Sequence, residues 1–220
     1  MLKLPLLALA PLLLSSCAAI YTSERFTPTL LTEGTPLTAT TRDHDVKLGS
    51  KPWRWSGEDR LIDLRSDDEG PALALSVAVV DGGGALWAFG PLLPILPVFG
   101  LLRDDLEESI HVQLRLLDGG SPVTVDPREI ELVLDDAEAA LGPSYLAEWG
   151  YRWYDATAIE DYELPVTLAQ SDTLQLFFPA KFEDAERMTL RLPIYREDGS
   201  TLTATIRFER GTVLYFAIAG

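Results

Sequence analysis

One cysteine in 220 residues, Cys17, excludes an intramolecular disulfide and every Cys-based metal spacing. Two histidines, His44 and His111, exclude a multi-histidine zinc site within one chain. The sequence holds no HExxH, no GxSxG and no glycine-rich phosphate loop, the patterns that accompany metalloprotease, serine-hydrolase and nucleotide chemistry. Positive charge is scarce as well. Eighteen Lys and Arg stand against 34 Asp and Glu, a net charge of −16 with a pI near 4.4. A surface of that sign repels nucleic-acid phosphate, so no nucleic-acid partner is expected, and it disfavours simple electrostatic docking on anionic lipid. No repeat and no low-complexity tract is present, which excludes a solenoid. No cofactor is expected, and the chain does not read as an enzyme.

Apolar content is 47%, ordinary for a globular protein and too high for wholesale disorder. The dominant period is two. Ala72 to Val80 (ALALSVAVV) sets Leu73, Leu75, Val77 and Val79 on one face. The same alternation recurs at Ile110–Leu116, Ile130–Leu134, Leu174–Phe178, Met188–Ile194 and Leu202–Phe208. Glu197-Asp198-Gly199-Ser200 separates the last two and reads as a hairpin turn. Short strands at this spacing predict an all-β fold, an antiparallel β-sandwich that is immunoglobulin-like at the level of strand pattern. One short helix is expected at 136–141, capped by Asp135 and stopped by Gly142-Pro143.

The first residues read as a targeting segment. Lys3 gives a positive start and Leu4 to Leu14 (LPLLALAPLLL) an apolar stretch too short to span a bilayer. Leu14-Ser15-Ser16-Cys17-Ala18-Ala19 follows. This resembles the lipobox of bacterial lipoproteins, over residues 1–19 alone. The resemblance implies cleavage after Ser16, a diacylglyceryl thioether on Cys17 and acylation of the new amino terminus. Ala18 after the cysteine implies delivery to the outer membrane, with the domain on its periplasmic or surface face. Loss of 1–16 removes Lys3 and leaves 17 basic against 34 acidic residues, a net −17. The expected organisation is then a signal peptide at 1–16, a lipidated N-terminus and tether at 17–41, and a sandwich domain at 42–220.

One stretch resists that scheme. Gly82 to Leu102 (GGGALWAFGPLLPILPVFGLL) carries no charge over 21 residues, long enough to cross a membrane. Pro91, Pro94 and Pro97 argue against a helix, since each costs about 3 kcal/mol in a helix interior. Asp81 before it and Arg103-Asp104-Asp105 after it put both ends in water, so 82–102 is expected to be an apolar, hairpin-like insertion. Its large side chains, Trp87, Phe89, Leu93, Leu96 and Phe99 among them, are expected either in the core or against a bilayer or an envelope protein.

Other clusters carry weaker expectations. Trp53-Arg54-Trp55 sets two indoles on one face of an extended chain, a pattern shared by ligand-stacking surfaces and core edges; Trp149 with Tyr151-Arg152-Trp153-Tyr154 alternates similarly. Asp43-His44-Asp45 has metal-ligand residue types, but alternation would point them apart, so it reads as a polar loop. The pairs Asp67-Asp68, Asp104-Asp105 and Asp135-Asp136 read as solubilising turns. His111 falls on the outward register of a strand. The functional expectation is a lipid-anchored cell-envelope lipoprotein acting as a non-enzymatic binding or scaffolding module. The alternatives are a carbohydrate-binding module using Trp53 and Trp55, and an envelope hydrolase using paired carboxylates.

Overall fold

The computed structural model describes residues 17–31, 36–48, 55–66, 68–80, 84–89, 94–98, 109–135, 137, 139–148, 156–170, 172–180 and 185–219. They form two antiparallel sheets packed face to face, a β-sandwich. The strands are β1 (Cys17–Leu30), β2 (Leu37–Leu48), β3 (Trp55–Ser66), β4 (Ala74–Val80), β5 (Gly84–Phe89), β6 (Pro94–Val98), β7 (Ile110–Leu116) and β8 (Val123–Val125). There follow β9 (Glu131–Leu134), β10 (Tyr145–Glu148), β11 (Thr157–Ala158), β12 (Val166–Leu168), β13 (Thr173–Phe178), β14 (Arg187–Arg196) and β15 (Thr201–Ala219). The first sheet runs β12-β8-β14-β15-β1-β5-β6, with β9 also paired to β14; the second runs β11-β10-β13-β7-β4-β3-β2.

The core is built by the predicted alternation. Along β14, Met188, Leu190, Leu192 and Ile194 are buried, and along β15, Leu202, Ala204, Ile206 and Phe208. They meet Leu75, Val77, Val112, Leu114, Leu174 and Leu176 of the second sheet in one apolar cluster. Each such side chain contributes about 1.5–3 kcal/mol when fully buried. The β14–β15 hairpin turns where expected. Gly199 takes φ 79°, a left-handed conformation that glycine adopts at little cost. Asp198 Oδ1 accepts from the Ser200 amide at 2.9 Å. Pro193 is tolerated within β14 because it falls between the two partners on that side: β9 pairs Met188 to Arg191, and β8 pairs Tyr195 and Arg196.

Two local expectations are corrected, and the segment 17–41, expected as a tether pairing as a strand near its end, is strand over most of its described residues. Cys17 to Leu30 is strand β1, paired residue for residue with β15 from Cys17↔Ala219 to Leu30↔Ile206, and β2 begins at Leu37. Asp43-His44-Asp45 is strand rather than loop, lying in β2 opposite Arg60, Asp59 and Glu58. The helix at 136–141 does not form: Leu141 instead exchanges two 2.8 Å backbone hydrogen bonds with Leu132. Local alanine content favoured helix, but the tertiary ladder offered the backbone a partner, and that prevailed.

Asp135 accordingly caps no helix. It sits at φ 47°, and its carboxylate accepts from the amides of Arg187 (2.7 Å) and Glu186 (3.2 Å), ordering the entry to β14. Asp68 is likewise more than a solubilising turn. It takes a two-pronged ion pair from Arg196, at 2.7 and 2.8 Å, which ties the β3–β4 connection to the end of β14. Gly70 lies directly against that guanidinium, where a Cβ would overlap it. Asp67, Asp104, Asp105 and Asp136 lie outside the described residues.

We predict that Asp135→Ala lowers stability by about 1–3 kcal/mol, from two lost hydrogen bonds and a strained backbone. Asp135→Asn, which keeps one acceptor and tolerates the left-handed conformation, should recover part of it. Denaturant melts of the two variants against the parent check this; an unchanged midpoint for Asp135→Ala would sink it.

Candidate functional site

The long strands β1 and β15 do two things along their length. From Phe26 to Leu30, β1 supplies core residues: Phe26, Pro28 and Leu30 are buried. From Cys17 to Ser23 it continues as one strand of a ribbon. There it has β15 on one side, Thr22↔Leu214 to Cys17↔Ala219. On its other side lies β5, Ser23↔Gly84 to Ala18↔Phe89. β6 is the last strand of the ribbon among the described residues, with Leu86↔Val98, Trp87↔Pro97, Ala88↔Leu96 and a register shift before Phe89↔Pro94. The chain leaves the second sheet after β4, forms this hairpin in the first sheet, and returns to the second sheet at β7. The expected hairpin-like excursion is therefore a pair of strands.

This explains the prolines. Pro94 and Pro97 sit in an edge strand, where a missing N–H spares the ladder and blunts the edge against further pairing. Among the described residues no helix is long and apolar enough to cross a membrane.

The ribbon gathers sequence candidates that are far apart in the chain. Cys17 is its first residue. Trp87 lies opposite Ile20, and Phe89 opposite Ala18. Leu96 lies in β6. Leu93, Phe99 and Ser16 are outside the described residues. Sequence reasoning missed Phe216 and Ile218, which pair with Ile20 and Ala18 from the other side. The signal was present in the run VLYFAIA, but nothing in one dimension tied the last strand to the first.

Trp55 opens β3 opposite Leu48, and Trp53 lies outside the described residues, as do Trp149 to Tyr154. A cleft of about 700 Å³ is lined by Thr157, Asp161, Tyr162, Glu163, Pro165 and Thr167. Its two carboxylates, Asp161 and Glu163, are both exposed. Among the described residues no three His, Cys, Asp or Glu side chains gather to hold a metal.

His111 is on the outward register as expected, yet it is 8% exposed, with Ser76, Thr173, Ala147 and Phe177 of the same sheet also buried. Its Nε2–H donates to Gln175 Oε1 at 3.0 Å, its ring stacks on Phe177 at 4.3 Å, and Nδ1 is left without a partner. Burial pushes the imidazole down to about 4 from its ordinary 6.5, against a smaller upward pull from the Gln175 hydrogen bond. The unfolded chain therefore takes up a proton near 6.5 that the folded one refuses until about 4.

Stability should fall as pH drops through that window, by on the order of 3 kcal/mol in full. Asp68, Asp126 and Asp198, held below 3.8 by hydrogen bonds from Arg196, Arg128 and Ser200 respectively, add their losses only at lower pH. Thermal melts at pH 7 to 4 should slope downward for the parent and be flatter for His111→Gln. Equal slopes would refute the assignment. Compared with protein-family models, with curated proteins and with solved structures, the chain matches none.

Proposed function

We propose that this chain is a lipid-anchored bacterial cell-envelope lipoprotein whose β-sandwich acts as a non-enzymatic binding or scaffolding module. Delivery to the outer membrane, facing the periplasm or the outside, belongs to the same reading. The observation that carries it is the position of Cys17: the chain's only cysteine, behind a lipobox-like LSS and an apolar leader, and the first residue of the first strand. A lipid attached there joins the fold with no spacer. Two or three acyl chains hold stably, at roughly 0.8 kcal/mol per buried methylene.

Intact mass of the protein purified from membranes of its bacterial host should start at Cys17 and carry a diacylglyceryl group with or without an N-acyl chain. Cys17→Ser should abolish incorporation of a labelled fatty acid. A mature protein with a free Cys17 thiol, or label retained by Cys17→Ser, would overturn the reading.

A further inference from the structure

We propose that the ribbon formed by the ends of β15 and β1 with β5 and β6 rests in the interfacial layer of the bilayer that holds the Cys17 lipid, giving the protein a second membrane contact made of its own side chains. The orientation rests on the lipid-anchor reading; the contact itself can be tested without any lipid on the protein.

The first support is distance. A diacylglyceryl thioether leaves the Cys17 backbone at the headgroup layer, about 6 Å deep on each side of the hydrocarbon. Ile20 is three residues along β1, about 10 Å from Cys17, and Ala18 is closer. With no spacer between Cys17 and the strand, the rung Phe89–Ala18–Ile218 is carried into that layer, and the rung Trp87–Ile20–Phe216, about 10 Å along, joins it where the ribbon lies along the leaflet.

The second is composition. Cys17–Ser23, Gly84–Phe89, Pro94–Val98 and Thr212–Ala219 contain no charged residue. Going away from Cys17 along the ladder, charge first appears at Glu24 and Arg25, and on β15 at Arg210. That leaves a band about 23 Å tall. Trp87 and Phe216 flank one rung, where aromatic rings favour the headgroup boundary.

The third is what faces the ribbon. Ile62 and Leu64 of β3 are buried in the core. Outward from them along the strand come Arg60 and Glu58, paired in register with Asp43 and Asp45 of β2. Arg60 reaches across to Thr27 Oγ1 of β1 at 3.3 Å, which fixes this part of the second sheet at the level where the ribbon departs. Its sequence there, DHD on β2 and GEDR on β3, is charged where that of the ribbon is not.

The edge decides how deep the ribbon lies. A sheet with a free strand leaves backbone polar groups unpaired, and an open edge does not occur within hydrocarbon. β6 is such an edge. The ribbon therefore lies on the leaflet and does not cross it. Zwitterionic lipid suits a chain of net −17 better than anionic lipid does.

The experiment is flotation of residues 17–220 bearing Cys17→Ser on phosphatidylcholine vesicles. The unlipidated chain should float and be released by an alkaline carbonate wash. Adding Trp87→Glu and Phe216→Glu should lower the bound fraction about tenfold or more. Circular dichroism and melting temperature show whether that variant folds. Should it not, quenching by brominated phosphatidylcholine is compared between the Cys17→Ser chain and the same chain with Trp87→Phe, which should lose part of it. An unlipidated chain that stays in solution at saturating lipid overturns the contact. So does one that sediments as an oligomer without floating, which would assign the ribbon to a second copy, and so does one that resists carbonate, which would mean a span. Failure of the anchor reading is read elsewhere, as an unmodified Cys17 in the native protein.

Discussion

The pairing of the first strand with the last holds the molecule together. β1 and β15 form an unbroken fourteen-rung ladder, Cys17↔Ala219 to Leu30↔Ile206. At about 3.3 Å per residue it is roughly 45 Å long. Its lower half lies in the sandwich and contributes Phe26, Leu30, Ile206 and Phe208 to the core. Its upper half supplies the template on which β5 and β6 pair. Without the last strand, Cys17 would begin a free leader and the hairpin would have no neighbour. With it, the first and last strands and an internal apolar segment are brought to one place.

The two ends of this arrangement differ in composition. Inside the sandwich the alternation is filled on both sides, and polar groups that enter are paired. Arg196 is satisfied by Asp68 and Ser200, and it accommodates Gly70 because glycine has no side chain to displace. Among the described residues, His111 Nδ1 and Thr173 Oγ1 are the exceptions. His111 is held neutral by burial on the outer side of the second sheet, with its Nε2 hydrogen-bonded to Gln175. Beyond the sandwich the two sheets part in character. The first continues as uncharged, aromatic strand, the second as a charged hairpin. A protein in which these emerge at the same end has its apolar and acidic surfaces placed according to distance from Cys17.

Much of the fold was legible, for a simple reason. The strands β4, β7, β9, β13, β14 and the lower part of β15 each bury one face, and burial writes a period of two into the sequence. Of the strands not foreseen, β3, β8 and β12 do alternate, but over two buried positions each (Ile62 and Leu64, Val123 and Val125, Val166 and Leu168), too few to stand out; β1 and β2 largely lack the constraint. β2 reads TATTRDHDVKL after Leu37, and its described side chains from Thr38 to Arg42 are exposed. β1 alternates only over Phe26, Pro28 and Leu30. At 136–141, alanines preferred one local structure, and the backbone of Leu132 nearby in the chain offered Leu141 another. His111 was legible as outward and not as buried, because register says which face a residue takes and not what covers that face.

The sequence by itself determined the sandwich class, the hairpin at Glu197–Ser200, the single lipidation candidate at Cys17 and the improbability of a helical span through Pro91, Pro94 and Pro97. These depend on composition, period and neighbours along the chain. Only the tertiary structure decided that the apolar insertion pairs with the strand opening at Cys17, that Phe216 and Ile218 join it from the far end of the chain, and that Asp68 and Asp135 are structural ligands of distant groups. Those are strand-pairing and contact facts. A hydrogen-bonded register between residues more than sixty positions apart leaves no mark in either segment alone, because every uncharged strand offers its neighbours the same backbone.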